Sequence, residues 1–365
     1  MKKILIVSRD ISIKQDGGTL VAKRNERLLQ QLGFITERFV IPIPSMRTRL
    51  YNVLFRQSYG ETHALKKDFI EKLQHINYDY IFFDGSIYGG FLKLAYDLGN
   101  TIICFYHNVE VEYYRQKALQ SKLITDKLMV SFIQFNERLS TKYANAIITL
   151  NNRDSNLLHS FYNRNADIII PTSLPYRNIA SLYSNKPANE EPFVLFVGTK
   201  FFANIEGLER FIYRIAPKIN IKCRIAGNIN EAFKTKSNIP ANIDFLGRVD
   251  SLDDYYINAS AVIAPIFTGS GLKTKTVEAL SFGKTVIGFP EAFEGIEYEN
   301  YHGACISVNT DAEFVKALQN INSSKQYNKM SEKLFQEKFS DNAQLEALQN
   351  FFLTPKIRNY HSIHD

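Results

Sequence analysis

Cysteine is scarce: three residues in 365, Cys104, Cys223 and Cys305, with neither Cys-x-x-Cys nor histidine at metal-ligand spacing. That argues against structural disulfides and against a zinc site, and the apolar surroundings of two of the three predict buried free thiols. No apolar run approaches the roughly 20 residues of a membrane-spanning helix. The opening ten residues place only four apolar side chains between their first lysines and Ser8, which reads as a first strand rather than a signal peptide, so a cytosolic chain is expected. That strand is not followed by Gly-x-Gly-x-x-Gly, which leaves a dinucleotide without an obvious cradle and disfavours a nicotinamide dehydrogenase. Internal repeats, coiled-coil heptads and low-complexity tracts are missing too. With 45% hydrophobic and 22% charged residues, the composition is that of an ordinary globular chain, long enough for two domains with full cores.

Charge is present but one-sided. Residues 1–189 hold 25 Lys and Arg against 16 Asp and Glu, while residues 190–365 hold 19 against 21. Residues 44–72 combine Arg47, Arg49, Arg56, Lys66, Lys67 and Lys72 with interleaved Leu50, Tyr51, Val53, Leu54 and Phe55. This is the composition of a helix on an anionic lipid surface, where each basic side chain contributes about 1 kcal/mol. An ordinary solvated helix has the same signature, and both readings stand. Nucleic acid is not an expected partner, because no nucleic-acid fold pattern accompanies the charge. Nothing in the sequence decides the oligomeric state.

The chain alternates short apolar runs with helical stretches. Strands are predicted at residues 3–7, 36–41, 80–83, 101–106, 146–150 and 167–170, and a second cycle at 193–197, 222–226, 243–246, 261–266, 285–287 and 304–307. The polar, proline-bearing stretch between the cycles reads as an exposed linker. The expected fold class is α/β, with two Rossmann-like domains whose parallel sheets face a central cleft. The domains are 1–175, a linker 176–191, 192–340, and a C-terminal helix and tail 341–365. Ligands of open parallel sheets bind at the strand C-terminal ends, so the cleft is the expected site.

Residues 267–288 carry the strongest local signal. An apolar strand ending near Pro265 opens into Gly269-Ser270-Gly271, whose backbone N–H groups can approach a ligand closely. A helix starting near Leu272 or Lys273 adds its positive end, and Lys273 and Lys275 flank the first turn. An anion such as a diphosphate suits that position, and Glu278, one turn on, can accept from ribose hydroxyls. The competing reading is a surface helix with solvated lysines.

This segment resembles the donor-site signature of retaining GT-B glycosyltransferases of the group-1, family 4 type, including the trailing stretch at residues 292–295. Many members carry two glutamates eight residues apart; here Ser270 stands in the first place and only Glu278 remains. The resemblance implies the GT-B fold, with the C-terminal helix crossing back to the first domain, and a sugar transfer from a UDP- or GDP-linked donor to a glycan acceptor in bacterial-type surface polysaccharide synthesis. It also gives weight to other motifs. Gly17 and Gly18 lead into a helix predicted at residues 20–32, which in the family lies under the donor diphosphate or the acceptor. Asp16 reads equally as a helix cap or as a partner of an acceptor hydroxyl. His107, at the end of a strand, would contact the transferred sugar, while Asn108 and Glu110 either shape that loop or reach the acceptor. Thr199 and Lys200 fall in the family's loop beneath the diphosphate, where many members have an Arg and a Lys-Gly pair and this chain offers Lys200 and Asn204. Gly247 and Arg248 follow a strand at which members hold the nucleobase by backbone groups, although Arg248 also reads as a plain surface residue. Asp154, after the strand ending at Leu150, reads as a helix cap.

Transfer from a nucleotide sugar passes through an oxocarbenium-like centre while negative charge grows on the leaving diphosphate. The metal-holding Asp-x-Asp of other glycosyltransferases does not occur. No metal or cofactor is therefore expected, and lysines and helix ends are expected to take that charge. In retaining members the departing phosphate is thought to take the acceptor proton, so no acid and nucleophile pair is required. The basic first half suggests a lipid-linked acceptor and a peripheral location at the inner face of the cell membrane. Two rivals remain: a non-catalytic GT-B subunit binding a glycan or a partner enzyme, and a sugar-nucleotide 2-epimerase.

Overall fold

The computed structural model describes residues 2–12, 17–121, 123–179, 181, 183, 191–269, 272–321 and 327–353. The chain divides into two compact units, Met1–Pro171 with Gln344–Asp365, and Thr172–Ala343. Both are α/β, and each holds a six-stranded sheet whose ladders are all parallel.

In the first unit the strands are β1 (Lys3–Arg9), β2 (Ile35–Ile41), β3 (Tyr80–Asp84), β4 (Ile102–Tyr106), β5 (Ala146–Thr149) and β6 (Ile168–Ile169), in the order β2-β1-β3-β4-β5-β6. The helices are α1 (Gly17–Gln31), α2 (Met46–Leu54), α3 (His63–His75), α4 (Gly89–Asp97), α5 (Glu110–Ser121), α6 (Ile124–Tyr143) and α7 (Asn152–Tyr162). β3, β4 and β5 are buried at every position, as parallel strands covered by helices on both faces must be. Leu5, Val7, Ile81 and Phe83 meet Phe69 and Phe91 in the core. Connections leave β1 to β2 on one side and then to β3 on the other. This reversal opens a crevice at the C-terminal ends of β1 and β3.

The second unit has β7 (Phe193–Val197), β8 (Lys222–Ala226), β9 (Ile243–Gly247), β10 (Ala261–Ala264), β11 (Val286–Gly288) and β12 (Cys305–Ser307), ordered β12-β11-β10-β7-β8-β9. Its helices are α8 (Phe202–Arg210), α9 (Asp253–Asn258), α10 (Thr274–Ser281), α11 (Asp311–Gln319) and α12 (Lys329–Lys338), and α13 (Asp341–Leu353) starts in it. The order reverses between β7 and β10, which puts this unit's crevice at their C-terminal ends. Its core gathers Phe196, Phe211, Ile263, Phe289 and Phe314.

Several expectations need correction. The expected C-terminal helix begins at Asp341 as α13, separate from α12, because the Ser340 hydroxyl accepts from the Ala343 N–H and starts it afresh. The residues of α13 from Gln344 on belong to the first unit, where the Phe352 ring lies 4.7 Å from Phe34 and 5.3 Å from Tyr80. The described part of the linker is not exposed throughout, since Ile179 is buried and the Tyr183 hydroxyl donates to the Phe282 carbonyl at 2.6 Å. Asp154 is not the cap of α7. Asn151 is, its side-chain oxygen accepting from the Asp154 N–H at 2.8 Å while its amide donates back to the Asp154 carboxylate at 3.1 Å. All three cysteines are buried free thiols, and among the described residues no helix is long and apolar enough to cross a membrane.

Candidate functional site

At the first unit's crevice, three strand ends and one helix start converge. β1 ends at Arg9, whose guanidinium donates to Thr19 in the first turn of α1 at 3.3 Å. Gly17 and Gly18 are themselves the first residues of that helix rather than a loop ahead of it, so its positive end begins there. Asp16 lies outside the described residues.

β3 ends at Asp84, which sequence reading passed over. Its Oδ1 accepts from Asn25 of α1 at 2.9 Å and from His107 Nε2, just past β4, at 2.8 Å. Burial raises the Asp84 carboxyl, but the charge and hydrogen bond of His107, the Asn25 amide and the charge of Arg38 outweigh it and hold the group below its ordinary value. An ionised carboxylate only accepts, so Nε2 carries a proton and donates it to Asp84. Nδ1 has no hydrogen-bond partner among the described residues. The ring also packs against Phe105, centroids 5.2 Å apart. The signal available in the sequence was an Asp-Gly closing an apolar strand, and Gly85 does take φ +140° there.

The loop after His107 is braced by another unforeseen carboxylate. Glu137 of α6, fully buried, accepts from the Glu110 N–H at 2.9 Å, the Val111 N–H at 3.1 Å, Ser86 at 2.8 Å and Tyr162 at 2.9 Å. It thus caps α5. Burial and the charge of Glu110 push it up to about 7 despite these donors. Asn108 hydrogen-bonds the Glu110 carboxyl, and burial raises that group against the opposing effects of His107, Asn108 and Arg9. Of the two readings left open, shaping the loop accounts for these contacts of Asn108 and Glu110.

In the second unit, glycines end three neighbouring strands. Gly198 follows β7, Gly227 follows β8 and Gly247 closes β9. A Cβ on Gly227 would lie 2.0 Å from the Gly198 carbonyl oxygen, and Gly227 has φ +109°, so only glycine fits. The loop holding Thr199 and Lys200 is tied down by the Lys200 N–H donating to Asn228 at 3.0 Å and the Asn204 amide donating to the Thr199 carbonyl at 3.0 Å. The Lys200 ammonium is half-exposed and 3.9 Å from Glu231. Arg248 is exposed, and no contact in the structure gives it a role.

After β10 the chain passes Pro265 and Phe267, and the Arg210 guanidinium stacks 5.1 Å from Phe267 and 4.6 Å from Phe289 while pairing with Asp311 at 2.7 Å. Gly269 has φ +132°; Ser270 and Gly271 lie outside the described residues. Leu272 is buried and anchors the entry to α10. The helix starts at Thr274, with Lys273 in the cap position. Both flanking lysines are already paired: Lys273 with Glu291 at 2.7 Å, and Lys275 with Glu278 at 2.6 Å. They are not the free cations the spacing suggested.

Glu278 is the organised group. Its Oε2 accepts from Lys275 and, at 3.2 Å, from the buried Tyr256 hydroxyl of α9, whose ring stacks on Phe282 at 4.7 Å. Its Oε1 accepts from nothing among the described residues, and the side chain is 23% exposed. One carboxylate oxygen is thus fixed and the other open to a hydroxyl donor. Tyr256 had no signal in the sequence, because its partner lies 22 residues on.

Residues 191–323 match the family model described as glycosyl transferases group 1. Among curated proteins none matches the chain by sequence. Solved structures of similar fold include the apo form of the lipopolysaccharide outer core galactosyltransferase WaaB, at 12% identity and TM-score 0.62, covering 96% of this chain and 99% of that one. HepE of Anabaena in complex with UDP and glucose superposes with TM-score 0.66 at 12% identity, covering 97% of this chain and 100% of that one. A point mutant of S. aureus TarM with fondaparinux, α-GlcNAc-glycerol and UDP gives 0.65 at 12%, covering 96% and 100%. The chain therefore has the two-sheet fold of GT-B glycosyltransferases, and its residues 191–323 are similar to the glycosyl transferases group 1 family.

Proposed function

We propose that the protein transfers a sugar from a UDP- or GDP-linked donor to a glycan acceptor, with anomeric retention and without a metal. Glu278 carries this reading. It stands on the first helix after the strand at the topological switch point, inside the matched domain, with Oε2 held by Lys275 and Tyr256 and Oε1 open. That geometry suits a ribose hydroxyl pair, and the crystals of HepE with UDP and glucose and of TarM with UDP and α-GlcNAc-glycerol support a uridine nucleotide and a glycan acceptor.

Leaving-group charge then falls to backbone N–H groups at the start of α10 and to Lys275, whose ammonium has three donors and spends one on Glu278. His107, held by Asp84 and with its side chain 18% exposed, contacts the transferred sugar and orients it. The departing phosphate takes the acceptor proton. The acceptor is lipid-linked and met at the inner membrane face, a reading supported by the basic excess of residues 1–189.

Replacing Glu278 by Ala removes the charged acceptor, and UDP or GDP affinity is expected to fall by roughly tenfold or more, the range for hydrogen bonds to a charged group. Isothermal calorimetry with the folded variant measures it. Unchanged affinity would remove the nucleotide from this helix.

A further inference from the structure

Helix α2 is built inside out. Met46, Leu50 and Leu54, spaced i, i+4, i+8 along one stripe, are 74%, 56% and 74% exposed. The side that faces the protein is led by Asn52, 1% exposed, which donates to the Ser58 and Glu61 carbonyls at 2.8 and 2.9 Å. The neighbouring α3 shows the usual arrangement, with Phe69 and Leu73 buried. α2 is not a loose segment, since Ser45 caps it by accepting from the Thr48 N–H, and the Arg56 guanidinium packs 5.7 Å from the Phe135 ring of α6.

The charge along this segment of the chain has one sign. No acid occurs between Glu37 and Glu61, a stretch that holds Arg38, Arg47, Arg49 and Arg56. Arg47 and Arg49 are exposed and form no ion pair among the described residues. A large apolar stripe rimmed by unpaired cations matches a surface that is apolar inside and anionic outside.

We infer that α2 is a docking face for an anionic phospholipid bilayer. Met46, Leu50 and Leu54 enter the acyl boundary, and Arg47 and Arg49 lie at the headgroup phosphates. The inference deepens the lipid-linked acceptor reading of the proposed function by naming the surface that brings the enzyme to it.

The test is co-sedimentation of the full chain with phosphatidylcholine vesicles, with and without phosphatidylglycerol. Binding is expected only to the anionic vesicles and is expected to weaken as salt is raised. The double variant Leu50→Asp/Leu54→Asp is expected to bind roughly tenfold or more weakly. Arg47→Glu and Arg49→Glu are each expected to lose at least the roughly fivefold that one basic residue contributes. Leu98→Asp, at an exposed site elsewhere in the unit, is the control and is expected to bind as the parent does. Equal binding to neutral vesicles, undiminished binding by the double variant, or light scattering that shows a dimer abolished by that variant would overturn the inference, the last by giving the face to a second copy. Thermal stabilisation by UDP and GDP is read on the same samples and confirms that each variant folds. Stabilisation without vesicle binding would sink the docking face and leave the transferase reading intact, whereas vesicle binding without stabilisation would do the reverse.

Discussion

Asp84 and His107 show how one buried contact can set a functional ring. β3 and β4 run in register with Asp84 opposite Phe105, so the residue two positions beyond Phe105 falls within reach of the carboxylate. Ionised Asp84 holds a proton on Nε2 and fixes the ring. Asp84→Asn keeps the shape but removes the charged acceptor that holds the ring, and Asn25 then faces an amide. We expect turnover to fall on the order of 10²-fold, the effect of a misplaced reacting group, with UDP or GDP affinity unchanged. Steady-state kinetics beside nucleotide calorimetry reads the split; full turnover would make the pair structural. His107 was legible because it ends an apolar run and opens a polar loop. Asp84 was not, because its meaning depends on which strand lies beside β3, and 23 residues separate the partners. Lys273 and Lys275 were legible as charges but not as ion pairs, since Glu291 reaches Lys273 only once the chain has returned through β11.

At the scale of elements, the loop after β4 is held by α6 reaching across to cap α5. Glu137 supplies the acceptor for two orphan N–H groups that the α5 sequence leaves unsatisfied. Its carboxyl is pushed up to about 7 from 4.5 in the unfolded chain. The folded state therefore keeps a proton that the unfolded state releases. Stability from this group is complete below pH 4.5, is lost as pH rises to about 7, and is level above that. The loss is roughly 3 kcal/mol for a shift of this size. Glu137→Gln has no proton to lose, so its urea-denaturation stability is expected to depend less steeply on pH between about 5 and 8 than the parent's. Parallel curves would assign the pH dependence to other groups. The elements themselves were largely legible, because strands covered on both faces must be apolar runs. Their junctions were less so. Ser340 looks like any helix serine until Leu174 accepts from the Asp341 N–H and donates its own N–H to the Phe339 carbonyl, fixing the break between α12 and α13.

For the whole molecule, the two strand orders decide where ligands meet the backbone, and the two cores share no residue. The alternation of apolar runs and helical stretches was enough to expect two parallel sheets; strand order was not, because it depends on which crossover goes to which side. Separate cores make separate melting a reasonable expectation. Calorimetry should then resolve two transitions, with Phe91→Ala lowering one and Phe211→Ala lowering the other, each by removing a fully buried ring. Nucleotide contacts assigned to Glu278 and the start of α10 belong to the second unit. Saturating UDP or GDP at about 100 times its dissociation constant adds about 2.7 kcal/mol, which raises a transition of this size by roughly 5–10 °C. The transition that Phe211→Ala lowers should be the one that moves. A nucleotide shift confined to the transition lowered by Phe91→Ala would transfer the donor site to the first unit, and a single transition lowered equally by both variants would show that the cores melt as one.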